Sequence, residues 1–310
     1  MNNVVELKKD HLQKYNGFEV KEHPEHDRLY QIEFQKEAIQ AFIEGTQNYS
    51  SESLEYVPYT RFLVAEQLLK ATGPELQNTL RSILNDRATG GFTTGVQDIT
   101  EDPEDYIKLS TALTHLIGTP NFDAMTGTFY ARFTVKHTDD SDSYLRQAYR
   151  LFTLHTDGTF VEQQTDWLLM MKFAEENAVG GRSRLLHLDD WEELNKFYKH
   201  PLAKYKFKYQ APPSKNVSKT VYRQTFFEQN NAPCMCFIDQ FAFPETIEQA
   251  KYLQEMSDSL ENDSSTIGLE LPPGDLVMLN NTFWMHGREA FERNPNLHRE
   301  LLRQRGSFAK

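Results

Sequence analysis

The sequence predicts a mixed α+β protein that is mainly β, a double-stranded β-helix (jelly roll) with an N-terminal helical layer packed against it. Three observations lead there. Apolar residues recur at helical spacing up to about residue 117. About eight short strand-like runs, separated by turn residues, follow Pro120. A helical pattern over 246–260 interrupts those runs without ending them.

In chain order, residues 1–30 form a polar, charged N-terminal segment. Residues 31–120 read as a helical buttress. Phe34, Ala38, Phe42 and Ile43 fall on one helical stripe, and Phe62, Ala65, Leu68 and Leu69 on another. Gly73-Pro74 opens a further helix carrying Leu76, Leu80, Ile83 and Leu84. Asp102 is an N-cap with Pro103 at the first helical position, and that helix stops at Gly118-Thr119-Pro120. Residues 121–310 form the jelly-roll core, with strands expected over 128–135, 149–154, 167–173, 183–188, 235–239, 267–271, 275–279 and 299–308. A mixed insertion occupies 189–230. No repeat or low-complexity linker divides the chain, so 1–310 reads as one domain.

The bulk numbers exclude several classes. A formal net charge of −12 with no basic run gives nucleic-acid binding no electrostatic support. No apolar run reaches membrane-span length, and the N-terminus lacks a signal-peptide core. Cys234 and Cys236 sit two apart on an expected strand, a poor geometry for a bridge, and read as reduced thiols. A cytoplasmic location follows. An acidic chain that binds a small anion must supply the cations locally.

Three His-x-Asp pairs occur. His137/Asp139 opens a polar stretch that reads as a solvated turn, and the aspartates after His187 read as a helix N-cap with acidic first-turn neighbours. Only His155/Asp157 follows a strand-like run and precedes a glycine, Gly158. On a strand both side chains leave one face. With His286, beyond the apolar run 276–279, they make a two-histidine, one-carboxylate set, the facial triad of non-haem Fe(II) oxygenases. Arg299, Arg303 and Arg305 share a face of the last expected strand. Turned outward they form a basic edge. Turned inward they make a container for carboxylates, which guanidinium binds bidentately. Gly180-Gly181-Arg182-Ser183 is a tight turn that offers the Ser183 hydroxyl to the interior.

Together these features resemble the jelly-roll Fe(II)/2-oxoglutarate oxygenases of the taurine-dioxygenase and clavaminate-synthase-like group. That group carries a His-x-Asp, a Gly-Gly-x-Ser/Thr turn, a distal His and an arginine on the last strand. The likeness is closer over Asn121-Phe122-Asp123-Ala124-Met125, His187-Leu188-Asp189-Asp190-Trp191-Glu192, 140–147, 211–219 and Arg303-Gln304-Arg305-Gly306, where the chain resembles the bacterial carbon-starvation-induced glutarate 2-hydroxylases. The resemblance implies Fe(II) held by His155, Asp157 and His286, with 2-oxoglutarate as co-substrate and O2 as oxidant. It also implies hydroxylation of glutarate at C2 to L-2-hydroxyglutarate in lysine and glutarate catabolism, and a homotetramer. Arg303 and Arg305 are the leading pair, one for 2-oxoglutarate and one for either ligand, joined by Ser183, with Arg299 in reserve. Arg132 and Lys215 are candidates for the substrate carboxylate. Two other readings stay open: the same chemistry on another small acid or amino acid, and a jelly-roll sensor that binds iron and 2-oxoglutarate without turnover.

Overall fold

The computed structural model describes residues 10–137 and 142–309. Strands β1 (Gln13–Lys14), β2 (Phe18–Glu22) and β3 (Tyr30–Phe34) precede helices α1 (Lys36–Gly45), α2 (Ser51–Tyr56), α3 (Tyr59–Thr72) and α4 (Glu75–Asn85). Strand β4 (Gly91–Gly95) and helix α5 (Pro103–Ile117) follow. The β-rich part begins with β5 (Gly118–Pro120), β6 (Ala131–Lys136), β7 (Phe152–His155), β8 (Trp167–Glu176) and β9 (Ser183–His187). Helix α6 (Leu194–Tyr198) leads to β10 (Lys206–Tyr209), β11 (Val221–Gln224), β12 (Phe226–Gln229), β13 (Ala232–Met235) and β14 (Ala242–Phe243). Helix α7 (Ile247–Glu261), β15 (Ile267–Leu269), β16 (Asp275–Asn280), β17 (Trp284–Arg288) and β18 (His298–Phe308) complete the order.

Two sheets make the jelly roll. The larger runs β1-β2-β3-β4-β16-β8-β18-β5, with β6 also paired to β18, and the smaller runs β15-β9-β17-β7. Side-chain parity along the central strands decides what lies on each side. Leu169, Met171 and Phe173 of β8 and Leu276 and Met278 of β16 pack into the core shared with the helices. The alternate residues Leu168, Met170, Val277 and Leu279 pack between the sheets with Leu185, which shares the face of His286 on the smaller sheet. Each such buried side chain contributes roughly 1.5–3 kcal/mol. On β18 the helix side takes Leu302, and also Gln304, which accepts from Thr114 Oγ1 at 2.7 Å and donates to Ser110 Oγ at 3.2 Å. The odd-numbered arginines of β18 therefore face the space between the sheets.

The N-cap at Asp102, with Pro103 beginning α5, stands as the sequence implied. Other elements differ. The polar N-terminal segment supplies β1 and β2, and β3 starts at Tyr30, so the sheet begins before the helical layer. Strand β4 lies inside the stretch read as helical. All five of its residues are buried, so no polar/apolar alternation marks it. The run expected over 235–239 leaves β13 at Met235, because Phe237 is drawn aside: its N–H donates to Thr156 Oγ1 and its carbonyl accepts from Thr156 N. Cys234 and Cys236 are both free thiols. Among the described residues, no helix is long and apolar enough to cross a membrane.

One half-buried carboxyl gives a stability prediction. Burial, with Asp98 nearby, pushes Asp275 up to about 6. The unfolded chain then ionises at lower pH than the fold, so stability falls as pH rises from about 4 to about 6 and stays lower above that. A shift of this size corresponds to at most about 2–3 kcal/mol. Asp275→Asn is expected to raise the melting temperature at pH 7.5 by several degrees, and by much less at pH 4.5. Equal shifts at both pH values would refute the assignment.

Candidate active site

His155 ends β7, and His286 is its cross-strand partner on β17, which puts both imidazoles on one face. Asp157 lies just beyond the strand end. Its Oδ1 is 3.9 Å from His155 Nε2 and 3.9 Å from His286 Nε2. Those gaps are too long for hydrogen bonds. The three ligand atoms lie within 4.8 Å of one another. His155 Nδ1–H donates to Thr153 O at 2.8 Å, which leaves the Nε2 lone pair free. Burial pushes both histidines below their ordinary range, so both are neutral donors. Burial alone would raise Asp157. Arg303 and Arg305 outweigh it and hold the carboxyl below the usual carboxylate range. Two neutral nitrogens and one carboxylate oxygen converging on a common point fit a divalent first-row ion.

The ligand segment is pinned from behind. Asp157 N donates to Asn281 Oδ1 at 2.8 Å, while Asn281 Nδ2 donates to Asp157 O at 3.1 Å and Thr165 O at 2.8 Å. Gly158 then turns the chain at φ +82°, where a Cβ would run into Thr165. Sequence reading missed Asn281, although the polar Asn280-Asn281-Thr282 directly after an apolar strand was a usable signal.

The open side of the triad faces a cavity walled by Phe133, Val135, Phe152, Met170 and Leu301, with Ser183, Arg299 and Arg303 in its lining. Ser183 follows the Gly180-Gly181 turn, in which Gly181 sits at φ +71° with the Phe291 ring where a Cβ would be. Arg299 is 3% exposed. Its Nε lies 3.5 Å from Glu175 Oε1 and has no hydrogen-bond partner among the described residues. Burial, partly offset by Glu175, pulls it down to about 10, and it stays charged at neutral pH. Arg303 is already engaged: Nη2 donates to Asp123 Oδ2 at 2.7 Å, and Nη1 lies 3.0 Å from Asp157 Oδ2. Arg305 Nη2 is 4.0 Å from the same Asp123 oxygen. Lys215, half-buried next to Arg303, is pushed down to about 8, chiefly by desolvation. Asp123 was not singled out from the sequence, although a carboxylate buried to 4% needs a cation beside it.

Arg132 does not reach this site. It pairs in register with Leu302, whose face is the helix side, and its Nε donates to Glu300 Oε1 at 2.6 Å with the side chain 41% exposed. Its candidacy for substrate is corrected on that ground. His137 and His187, the histidines of the other two pairs, are also apart from the triad. His187 itself caps the turn after β9, its Nδ1 accepting from Asp189 N at 3.1 Å. The aspartates therefore do not act as the N-cap: Asp189 pairs with Arg87 and Asp190 with Arg28. His137 Nδ1 meets Tyr149 Oη at 2.6 Å, and most of the turn expected after it lies outside the described residues.

The fold is similar to that of asparagine oxygenase solved with Fe(II), 2S,3S-3-hydroxyasparagine and succinate: TM-score 0.71, 14% identity, covering 89% of this chain and 93% of that one. It is also similar to the non-haem iron oxygenase OrfP solved with Fe and α-ketoglutaric acid, with TM-score 0.64 and 14% identity over 89% of this chain and 94% of that one. The mixed α+β, mainly β architecture is thus that of the non-haem iron oxygenases. The CsiD family model matches residues 18–308, almost the whole described length, and the chain belongs to the CsiD family.

Proposed function

We propose that the protein is an Fe(II)- and 2-oxoglutarate-dependent dioxygenase that hydroxylates glutarate at C2. Glutarate, 2-oxoglutarate and O2 give 2-hydroxyglutarate (the L enantiomer, as the family resemblance implies), succinate and CO2. The observation that carries this reading is the His155–Asp157–His286 donor set opening onto a cavity that also holds Arg299 and Ser183. Fe(II) held by these three residues supplies O2 activation coupled to oxidative decarboxylation of the keto acid. Arg299 and Ser183, both in the lining of the cavity, receive the far carboxylate of 2-oxoglutarate. Arg299 therefore moves ahead of Arg303, which is already bonded to Asp123, and of Arg305, which is not in that lining. The apolar wall of Phe133, Val135 and Leu301 keeps water from the reacting carbon.

Charge supports a dianionic substrate. Arg299, Arg303, Arg305 and Lys215 stand against the carboxylates of Asp123, Asp157 and Glu175 around the site, and a divalent ion adds to the excess of positive charge. Arg288, also in the lining, donates to the carbonyls of Leu145 and Gln147. An amino acid would bring its ammonium into this cluster, where like charges repel. A diacid places its second carboxylate on Lys215 or on the Arg303–Arg305 pair.

The test is succinate release and hydroxylated product with glutarate, pentanoate and an amino acid side by side. Pentanoate, which lacks the second carboxylate, leaves a buried cation unpaired and is expected to turn over at a small fraction of the glutarate rate. Equal turnover of glutarate and pentanoate would defeat the diacid reading. Binding of 2-oxoglutarate and iron with no succinate from any acid would make the protein a sensor.

A further inference from the structure

We propose that Asp123 is a positioning residue for the metal, acting through Arg303 to keep Asp157 on one oxygen. This rests on the metal reading of the triad. The contacts form a chain. Asp123 is fixed by its own turn: its N–H donates to Thr128 O at 2.7 Å, its carbonyl accepts from Gly127 N at 2.8 Å, and its Oδ1 accepts from Met125 N at 3.1 Å. That leaves Oδ2 for Arg303 Nη2 at 2.7 Å. The second guanidinium arm, Nη1, reaches Asp157 Oδ2 at 3.0 Å, as an ion pair out of hydrogen-bond alignment. The guanidinium carbon lies 4.7 Å from the centre of the Phe133 ring, which restricts its plane. Asp157 Oδ1, the oxygen equidistant from the two imidazoles, accepts no hydrogen bond from the arginine, whose nearest approach to this carboxylate is to Oδ2.

A guanidinium beside a carboxylate prefers to take both oxygens in a fork. A fork on Asp157 would draw Oδ1 away from the two histidines and set Arg303 in competition with the metal. Asp123 prevents this by occupying one arm. Arg303 then offers Asp157 a single contact, which anchors Oδ2 and presents Oδ1. A carboxylate on a loop thus sets how the metal-binding carboxylate is used. Its place in that loop is fixed by backbone bonds and does not depend on any bound ligand.

The readout is metal affinity. Co(II) is titrated anaerobically into the full chain without 2-oxoglutarate and followed by its visible absorption, with melting temperature as the check on folding. Asp123→Asn is expected to bind Co(II) tenfold to a hundredfold more weakly, the range seen when groups that orient metal ligands are removed, and with an altered spectrum. Loss of charge alone would also weaken binding, so a second variant separates the two causes. In Asp123→Asn with Arg303→Lys the positive charge remains and the fork is gone, and affinity is expected to recover to within about threefold of Arg303→Lys alone. Should Asp123→Asn not fold, Asp123→Ser keeps an oxygen for the Met125 N–H and is read the same way. Affinity within twofold of the parent in the single variant, or no recovery in the double one, overturns the proposal. A parent protein that takes up no Co(II) overturns the metal centre itself.

Discussion

His155→Ala, Asp157→Ala and His286→Ala are each expected to lose iron binding and to bring turnover down to background, with the fold retained. His187→Ala is expected to keep iron and activity and to lose stability. The contrast follows from position. The three triad side chains point their donor atoms at one another, with Asp157 Oδ1 3.9 Å from each Nε2 and all three within 4.8 Å, and none of those atoms bonds to the scaffold. Removing one side chain takes away a ligand and leaves the sheets as they were. His187 is 1% exposed, wedged against the rings of Phe283 and Trp284, and caps the following turn. Its truncation opens a cavity and removes a cap, at a cost of about 2–4 kcal/mol. Anaerobic Fe(II) titration, succinate assay and thermal melts of the four variants decide it. Iron lost from His187→Ala and kept by His155→Ala would show that the triad is misassigned.

Arg299→Lys is expected to raise the concentration of 2-oxoglutarate needed for half-maximal rate by tenfold to over a hundredfold. A charge-assisted hydrogen bond contributes about 1.5–3 kcal/mol, and one factor of ten corresponds to about 1.4 kcal/mol. Lysine keeps the charge but presents a point donor in place of the guanidinium fork. Glu175 remains paired with Lys172 in the variant, so the wall of the cavity retains a neutral pair. Ser183→Ala removes one neutral hydroxyl and should cost about fivefold. The measurement is the apparent 2-oxoglutarate affinity at saturating glutarate. If Arg299→Lys leaves it unchanged and Arg305→Lys raises it, the two arginines exchange roles.

Which parts of this were legible in the sequence depended on distance along the chain. The His155–Asp157 spacing and the odd-numbered arginines obey the two-residue period of a strand, which a sequence displays directly. Which face the arginines take is not displayed. Leu302 and Gln304 settle it by packing against the helical layer, with Gln304 bonded to α5. Arg132 was misjudged for the same reason, since its face is set by its partner Leu302 and no local pattern reveals it. The ranking of the arginines depends on Asp123, 180 positions from Arg303 in sequence. Strand β4 was hidden because it is buried on both faces, whereas β2 and β3 alternate buried and half-buried residues (Phe18, Val20; Tyr30, Ile32, Phe34), a usable strand signal that the reading of a polar segment and a helical stripe passed over. Lys215 belongs to an irregular turn, and only the family resemblance marked it.

Strand β18 lies inside the larger sheet, flanked by β8 on one side and by β5 and β6 on the other, and it follows all of them in the chain. A ribosome therefore delivers the frame first and its keystone afterwards. Until β18 arrives, β5, β6 and the open edge of β8 lack the strand that joins them, and such edges invite pairing with other chains. The triad follows the same schedule, because His286 emerges long after His155 and Asp157. A nascent chain holds two of the three ligands and none of the β18 arginines, so it cannot assemble the centre in advance. The three-residue donor set is thereby incomplete until β17 has joined β7, and the arginines are absent from the cavity until β18 has joined β8. A slow step in translating that last stretch would lengthen the exposure of β8 without creating a half-loaded enzyme.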